Sequence, residues 1–285
     1  MQTILVTGSN GQLGNEMQKA AANYSSFNYI YTDVAELDIC NKNALSEFVQ
    51  TNNVDIIVNC AAYTAVDKAE TDIELCNKIN CEAVQNIGEV ATANNIKVVH
   101  VSTDYVFDGT NYLPYTEEMA VCPATMYGKS KLEGEIALLE TCKQSVILRT
   151  SWLYSSFGNN FVKTMIKLGT ERDALNVIFD QVGTPTYAAD LADAILSILM
   201  HKEFIPGTYH YSNEGVCSWY DFTKTIHRMC GITCDVKPIE SKDYPTPTPR
   251  PHYSVLNKAK IKSTYQINIP HWEDSLKKCI EALNA

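Results

Sequence analysis

Apolar positions in the first half of the chain fall alternately into short solid runs and helix-spaced stripes. The run Ile4-Leu5-Val6 lies in a short strand, Thr3–Thr7, that ends at a glycine. The spacing then predicts a helix over Leu13–Ala22, a strand over Asn28–Thr32 and an Asn-capped amphipathic helix over Asn41–Gln50. A third strand, Asp55–Asn59, leads to one long helix over Asp72–Ala93. Strands four and five, Lys97–Val101 and Ser145–Arg149, flank a helix over Tyr127–Glu140. Strands that are apolar on both sides belong to a parallel sheet covered by helices on both faces. Their alternation with helices predicts a doubly wound α/β fold with right-handed crossovers.

After Arg149 the pattern loosens. Helices are predicted over Asn160–Leu168, Ala189–Met200, Trp219–Met229 and Trp272–Leu283, with short strands over Leu175–Phe179 and Thr208–Tyr211. Prolines 245, 247, 249 and 251 mark an extended loop. The expected organisation is a dinucleotide-binding unit over 1–150, rejoined by segments of the second half, and a smaller C-terminal α/β substrate lobe over 151–285.

Composition narrows the function classes. A net charge of −10 with no Lys/Arg cluster argues against nucleic-acid binding. The N-terminus lacks a basic segment and an apolar stretch of signal length, and no apolar run reaches membrane length, so a cytoplasmic protein is expected. The ten cysteines include no C-x-x-C pair, which favours reduced core thiols over a metal site.

The first strand runs into Thr7-Gly8-Ser9-Asn10-Gly11-Gln12-Leu13-Gly14. Glycines at every third position suit a Rossmann phosphate loop. Gly8 makes the turn, Gly11 lets backbone N–H groups meet a pyrophosphate, and Gly14 lets helix pack on strand. The helix N-terminus adds a favourable dipole. Asp33 ends the second strand, where a carboxylate either bonds an adenosine ribose, favouring NAD, or serves as a turn residue.

Tyr127 and Lys131 are four apart at the start of a predicted helix and share a face. Carbonyl reduction needs a proton donor beside the hydride donor, and an ammonium lowers the proton affinity of a nearby phenol. Strand four ends in Ser102-Thr103-Asp104-Tyr105. The carboxyl ends of parallel strands bind ligands, so Thr103 is placed to bond a substrate carbonyl and Asp104 to add a second polar contact.

These motifs together resemble the extended short-chain dehydrogenase/reductase family that acts on nucleotide sugars. Its carriers are the glycine loop, Leu37-Asp38-Ile39, Asn59 to Glu70, Ser102 to Gly109, Tyr127 to Lys131, Arg149 to Tyr154, Gly183 to Thr186 and Arg250-Pro251. The resemblance covers nearly the whole chain. It implies that Asn10, Gly11, Gln12 and Leu13 hold the cofactor pyrophosphate, Asp38 and Ile39 meet the adenine, and Ala61, Ala62 and Tyr63 line the cofactor channel. It implies Tyr127 as proton donor, Lys131 as its partner, Thr103, Asp104 and Trp152 as sugar contacts, and Arg250 at the substrate diphosphate. The implied reaction is hydride transfer from NADPH or NADH to the C4 ketone of a dTDP-linked sugar, in the synthesis of surface polysaccharide.

Some relatives carry Mg²⁺ at a homodimer contact through acidic residues. Glu16, Asp190 and Glu281 lie in the matching regions and are read first as solvated helix carboxylates. Two other readings stay open. One is a related epimerase or dehydratase; dehydratases of this kind carry a second carboxylate after the aspartate, where this chain has Tyr105. The other is a non-catalytic dinucleotide-binding subunit like the regulatory subunit of methionine adenosyltransferase.

Overall fold

Six parallel strands make the main sheet of the computed structural model, which describes residues 1–284. In chain order they are β1 (Gln2–Thr7), β2 (Phe27–Thr32), β3 (Ile56–Asn59), β4 (Lys97–Thr103), β5 (Ser145–Thr150) and a last strand, Gly207–His210. Their order across the sheet is the last strand, then β5, β4, β3, β1 and β2. The chain therefore moves outward from β1 to β2, then returns past β1 to build the other side. Ligands bind outside the carboxyl ends at such a switch point. Here it lies between β1 and β3, which pair from Ile4 with Ile56 to Thr7 with Asn59.

The central strands are solidly apolar because both faces are covered. On one side Ile4, Val6, Ile56 and Val58 pack with Met17 and with Leu191, Ile195 and Ile198 of the Ala188–Met200 helix. On the other, Leu5, Ile57, Val98 and Ile147 meet Leu45, Val84, Ile87 and Leu138. The strand expected over Thr208–Tyr211 thus completes the first sheet; it is not part of the substrate lobe. The Ala188–Met200 helix likewise closes the first half's core.

The helix expected over Asp72–Ala93 is a continuous helical run in three parts. Ile73–Asn77 passes through a π-helical turn, Lys78–Glu82, into Ala83–Ala93. The turn frees Asn80, whose amide oxygen accepts from Tyr63 N (2.8 Å) and whose amide nitrogen donates to Tyr63 O (3.0 Å) and Ser130 Oγ (3.0 Å). Alternation of apolar residues cannot signal one inserted residue, so sequence spacing misses it.

The Met126–Thr141 helix is capped by Thr125, whose hydroxyl accepts from Gly128 N at 3.0 Å. Gly128 lies against the Tyr105 carbonyl and Gly134 against the Asn80 carbonyl, with no room for a Cβ at either. These two close approaches fix the helix against the segment after β4 and against the π-helical turn.

Past β5 the core is rebuilt from Val162, Leu175, Val177, Phe222, Ile226, Val236, Trp272 and Leu276. The strands Ala174–Ile178 and Asp235–Ile239 pair in parallel here.

Candidate active site

The glycine loop has the geometry its spacing predicts. Gly8 has φ +64°, and a Cβ there would lie 2.6 Å from Ala61 N, so β1 and β3 close up at their ends. Gly14 leaves no room either; its Cβ would sit 2.5 Å from Ser9 Cα. The Gln12–Ala20 helix starts at Gly11 without a side-chain cap. Its first amides are therefore free for phosphate oxygens, and the loop fits a dinucleotide pyrophosphate. Leu13 is buried in the core, which leaves its N–H as the group it can offer.

Asp33 stands at the end of β2, as expected, with its carboxylate holding the loop. Oδ2 accepts from Asn10 N at 3.0 Å and Oδ1 from Val34 N at 2.8 Å. Asp38 is exposed, and Ile39 packs its side chain into the core. Ala61, Ala62 and Tyr63 follow β3 at the mouth of the switch point and are half-buried. Tyr63 donates its hydroxyl to Asp72 at 2.8 Å.

Tyr127 and Lys131 are both buried. Burial pushes the Tyr127 phenol above its ordinary range, and the Thr103 hydroxyl beside it offsets part of this. A phenol so placed keeps its proton at neutral pH and can give it. Burial pulls the Lys131 amine down to about 8, against the opposing field of Glu135. The Lys131 Nζ donates to Val101 O at 2.8 Å and lies 3.2 Å from His100 Nε2.

Thr103 Oγ1 accepts from Tyr105 N at 3.2 Å and donates to Asp104 Oδ1 at 2.9 Å. Asp104 is buried, its Oδ2 has no protein partner, and burial raises its carboxyl to about 7. The ring of Tyr105 stands edge-on to that of Tyr127, with centroids 5.4 Å apart.

A cavity of about 1120 Å³ is lined by Asp67, Tyr105, Trp152, Phe161, Trp219 and Arg250, among others. Trp152 has φ +49°, a left-handed conformation rare for a bulky residue. It stacks on Trp219 at 3.5 Å, 10° from parallel, and Phe161 leans on Trp219 at 4.4 Å. Gly183 makes room, since a Cβ there would be 2.8 Å from the Trp152 ring. Arg250, from the proline-rich loop, donates to Asp67 at 2.8 Å across the cavity.

Two of the three acidic residues, Glu16 and Asp190, are less exposed than expected. Glu16 is buried and accepts from Ser155 Oγ at 2.6 Å. Asp190 accepts from Asn213 Nδ2 at 2.7 Å and from Ser275 Oγ. Glu281 is exposed, as a solvated carboxylate should be. Among the described residues no three acidic, His or Cys groups converge on a metal position, so the trio does not fit a bound Mg²⁺ within one chain. No helix among the described residues is long and apolar enough to cross a membrane.

Sequence reading missed Trp219, Asp67, Asn59 and His100 as site residues. For Asn59 and His100 a signal existed: Asn59 ends an otherwise apolar buried strand, and His100 interrupts the apolar run Val98–Val101. Trp219 and Asp67 are separated from their partners by long stretches of chain and carry no local signal.

The comparisons agree with this geometry. The family profile described as RmlD substrate binding domain matches residues 1–285. The dTDP-4-dehydrorhamnose reductase of Escherichia coli K12 is 40% identical, over 98% of this chain and 97% of that one. A crystal structure of a dTDP-4-dehydrorhamnose reductase from Clostridium acetobutylicum superposes with TM-score 0.96 and 43% identity, covering all of both chains. That of the Bacillus anthracis reductase, in complex with NADP, gives 0.95 and 37%, over 99% of this chain and 100% of that one. The chain thus belongs to the RmlD family, that of the dTDP-4-dehydrorhamnose reductases.

Proposed function

We infer that this chain reduces the C4 ketone of dTDP-4-dehydro-L-rhamnose to dTDP-L-rhamnose, with NADPH or NADH as reductant. The observation that carries the reading is the placement of a buried, protonated phenol, Tyr127, beside Thr103 at the end of β4. Bound at the glycine loop, NADPH or NADH supplies the hydride. The chain's own residues do the rest. Thr103 and Tyr127 bond the C4 oxygen, and the Tyr127 hydroxyl gives its proton to that oxygen as negative charge develops there. Lys131, as an ammonium, stabilises the phenolate left behind. Trp152, fixed by its stack on Trp219, covers the sugar and excludes water. Arg250 offers its planar guanidinium to the diphosphate, exchanging Asp67 for phosphate oxygens.

Elimination chemistry lacks its base. Position 105 is a tyrosine whose ring packs on Tyr127, so Asp104 is the sole carboxylate of the Thr103–Tyr105 segment. The test is direct: dTDP-4-dehydro-L-rhamnose is mixed with the protein and NADPH or NADH, and absorbance of the reduced nicotinamide is followed. Stoichiometric loss is expected; no loss with either cofactor defeats the reading.

A further inference from the structure

A chain of buried polar groups runs from β1 to the site lysine. Asn59 Oδ1 accepts from Thr7 Oγ1 at 2.6 Å and from Ala61 N at 3.2 Å. A backbone N–H can only donate, so the Asn59 atom it meets is the oxygen. The other amide atom, Nδ2, then donates to His100 Nδ1 at 2.9 Å. His100 Nδ1 is therefore the nitrogen with the lone pair, and neutral His100 carries its proton on Nε2. That N–H faces the Lys131 amine at 3.2 Å.

An ammonium has three donors and no acceptor. Set against the His100 N–H it would place hydrogen against hydrogen. A neutral amine has a lone pair that accepts this bond while one of its hydrogens goes to Val101 O. We propose that His100, locked by Asn59 as its Nε2–H tautomer, is a positioning residue for Lys131 that docks the neutral amine and turns the ammonium out toward Tyr127. The proposal rests on reading Tyr127 and Lys131 as the proton-transfer pair.

The surroundings support it. His100 is fully buried, and burial holds its imidazole well below the usual range, so it stays neutral. The other titratable groups around Lys131 come from several elements. Glu135, one turn on, is paired with Arg149 of β5 (2.7 Å) and bonded by Ser102 of β4, and its field favours the ammonium form of Lys131. Cys76 reaches in from the Ile73–Asn77 helix, where it meets Ser130 Oγ at 3.1 Å. Tyr127 lies one turn before Lys131. None of these offers the docked amine an acceptor that would outweigh the His100 donor. The docked lysine is thus close to its deprotonation point and ready to take the ammonium form beside the phenol.

Two measurements test this. In the wild-type protein with ¹⁵N-labelled histidine, ¹H–¹⁵N spectra read the tautomer of each imidazole. The His100 signal is assigned by its contacts to the Lys131 methylenes. The expected result is a proton on Nε2 and none on Nδ1 across neutral pH; an Nδ1–H tautomer or an imidazolium overturns the proposal. Then His100→Gln, which can turn a carbonyl to the ammonium, should move the alkaline limb of kcat/KM for ketone reduction up by about one pH unit. A merely structural role would leave that limb in place, and an unmoved limb with a folded variant overturns the proposal. Lys131→Met separates the two layers. If its turnover is normal, the reading of Lys131 falls and takes the proposal with it. If turnover collapses while His100 shows Nδ1–H, only the positioning role falls.

Discussion

The glycine loop and the tryptophan-lined cavity are built on opposite plans. The loop works through backbone. Gly8, Gly11 and Gly14 matter because a Cβ has no place at Gly8 or Gly14, and because the Gln12–Ala20 helix leaves its first amides uncapped. The cavity works through side chains drawn from distant positions: Trp152 on Trp219, Arg250 on Asp67. The backbone plan tolerates almost no substitution and should fail as a unit. The side-chain plan distributes its energy and should fail by degrees. Tyr127, Lys131 and Thr103, where the end of β4 meets the start of the Met126–Thr141 helix, are the residues we propose to carry the chemistry.

The largest effect should come at that junction. Tyr127→Phe removes the proton donor and should lower kcat by about 10²–10⁴-fold, the usual worth of general acid catalysis. Cofactor affinity, measured by nicotinamide fluorescence, should be unchanged. A variant that loses both would merge the chemistry with the loop and break the contrast.

Next in size is the loop itself. Gly14→Ala must displace the Ser9 backbone and should cost about 1–3 kcal/mol of stability, as overpacking of a tight contact does. Thermal unfolding gives the first quantity, and cofactor titration should show weakened binding. Stability loss with intact cofactor affinity would mean the glycine serves packing alone.

Trp219→Ala should act by degrees. Loss of the stack on Trp152 is worth about 0.5–1.5 kcal/mol, so KM for the sugar nucleotide should rise by about twofold to thirteenfold. KM for NADPH or NADH should not move. Equal rises in both would show that the cavity and the loop are one cooperative unit.

The smallest effect is with pH. The form of Lys131 that supports phenolate formation is the ammonium, and burial brings its deprotonation down to about 8. Ketone reduction should therefore be full below that pH and fall as pH rises through it. A flat profile to pH 9 would sink Lys131 as the group that titrates.

The same contrast explains what could be read in the sequence. β1 to β5, the loop and the Tyr127–Lys131 spacing are local patterns, and each falls within a few residues of its predicted place. The last sheet strand, Gly207–His210, pairs with β5 from more than fifty residues away. No local pattern says which sheet it joins. The docking of Lys131 on His100 was likewise illegible, because helix periodicity gives a shared face with Tyr127 but not the direction of a long flexible side chain. Leu13 and Ile39 bury their side chains in the core, so any cofactor contact they make is through backbone, which no side-chain pattern reports.

The most direct measurement follows the hydride itself. dTDP-4-dehydro-L-rhamnose is reduced with NADPH or NADH deuterated at the transferred position of the nicotinamide, and the product is read by NMR. One deuterium at C4 of dTDP-L-rhamnose, with none at C3 or C5, is the expected result. No deuterium in the sugar, or label lost to solvent with elimination at C6, would contradict a single hydride delivered to C4 and a single proton from Tyr127.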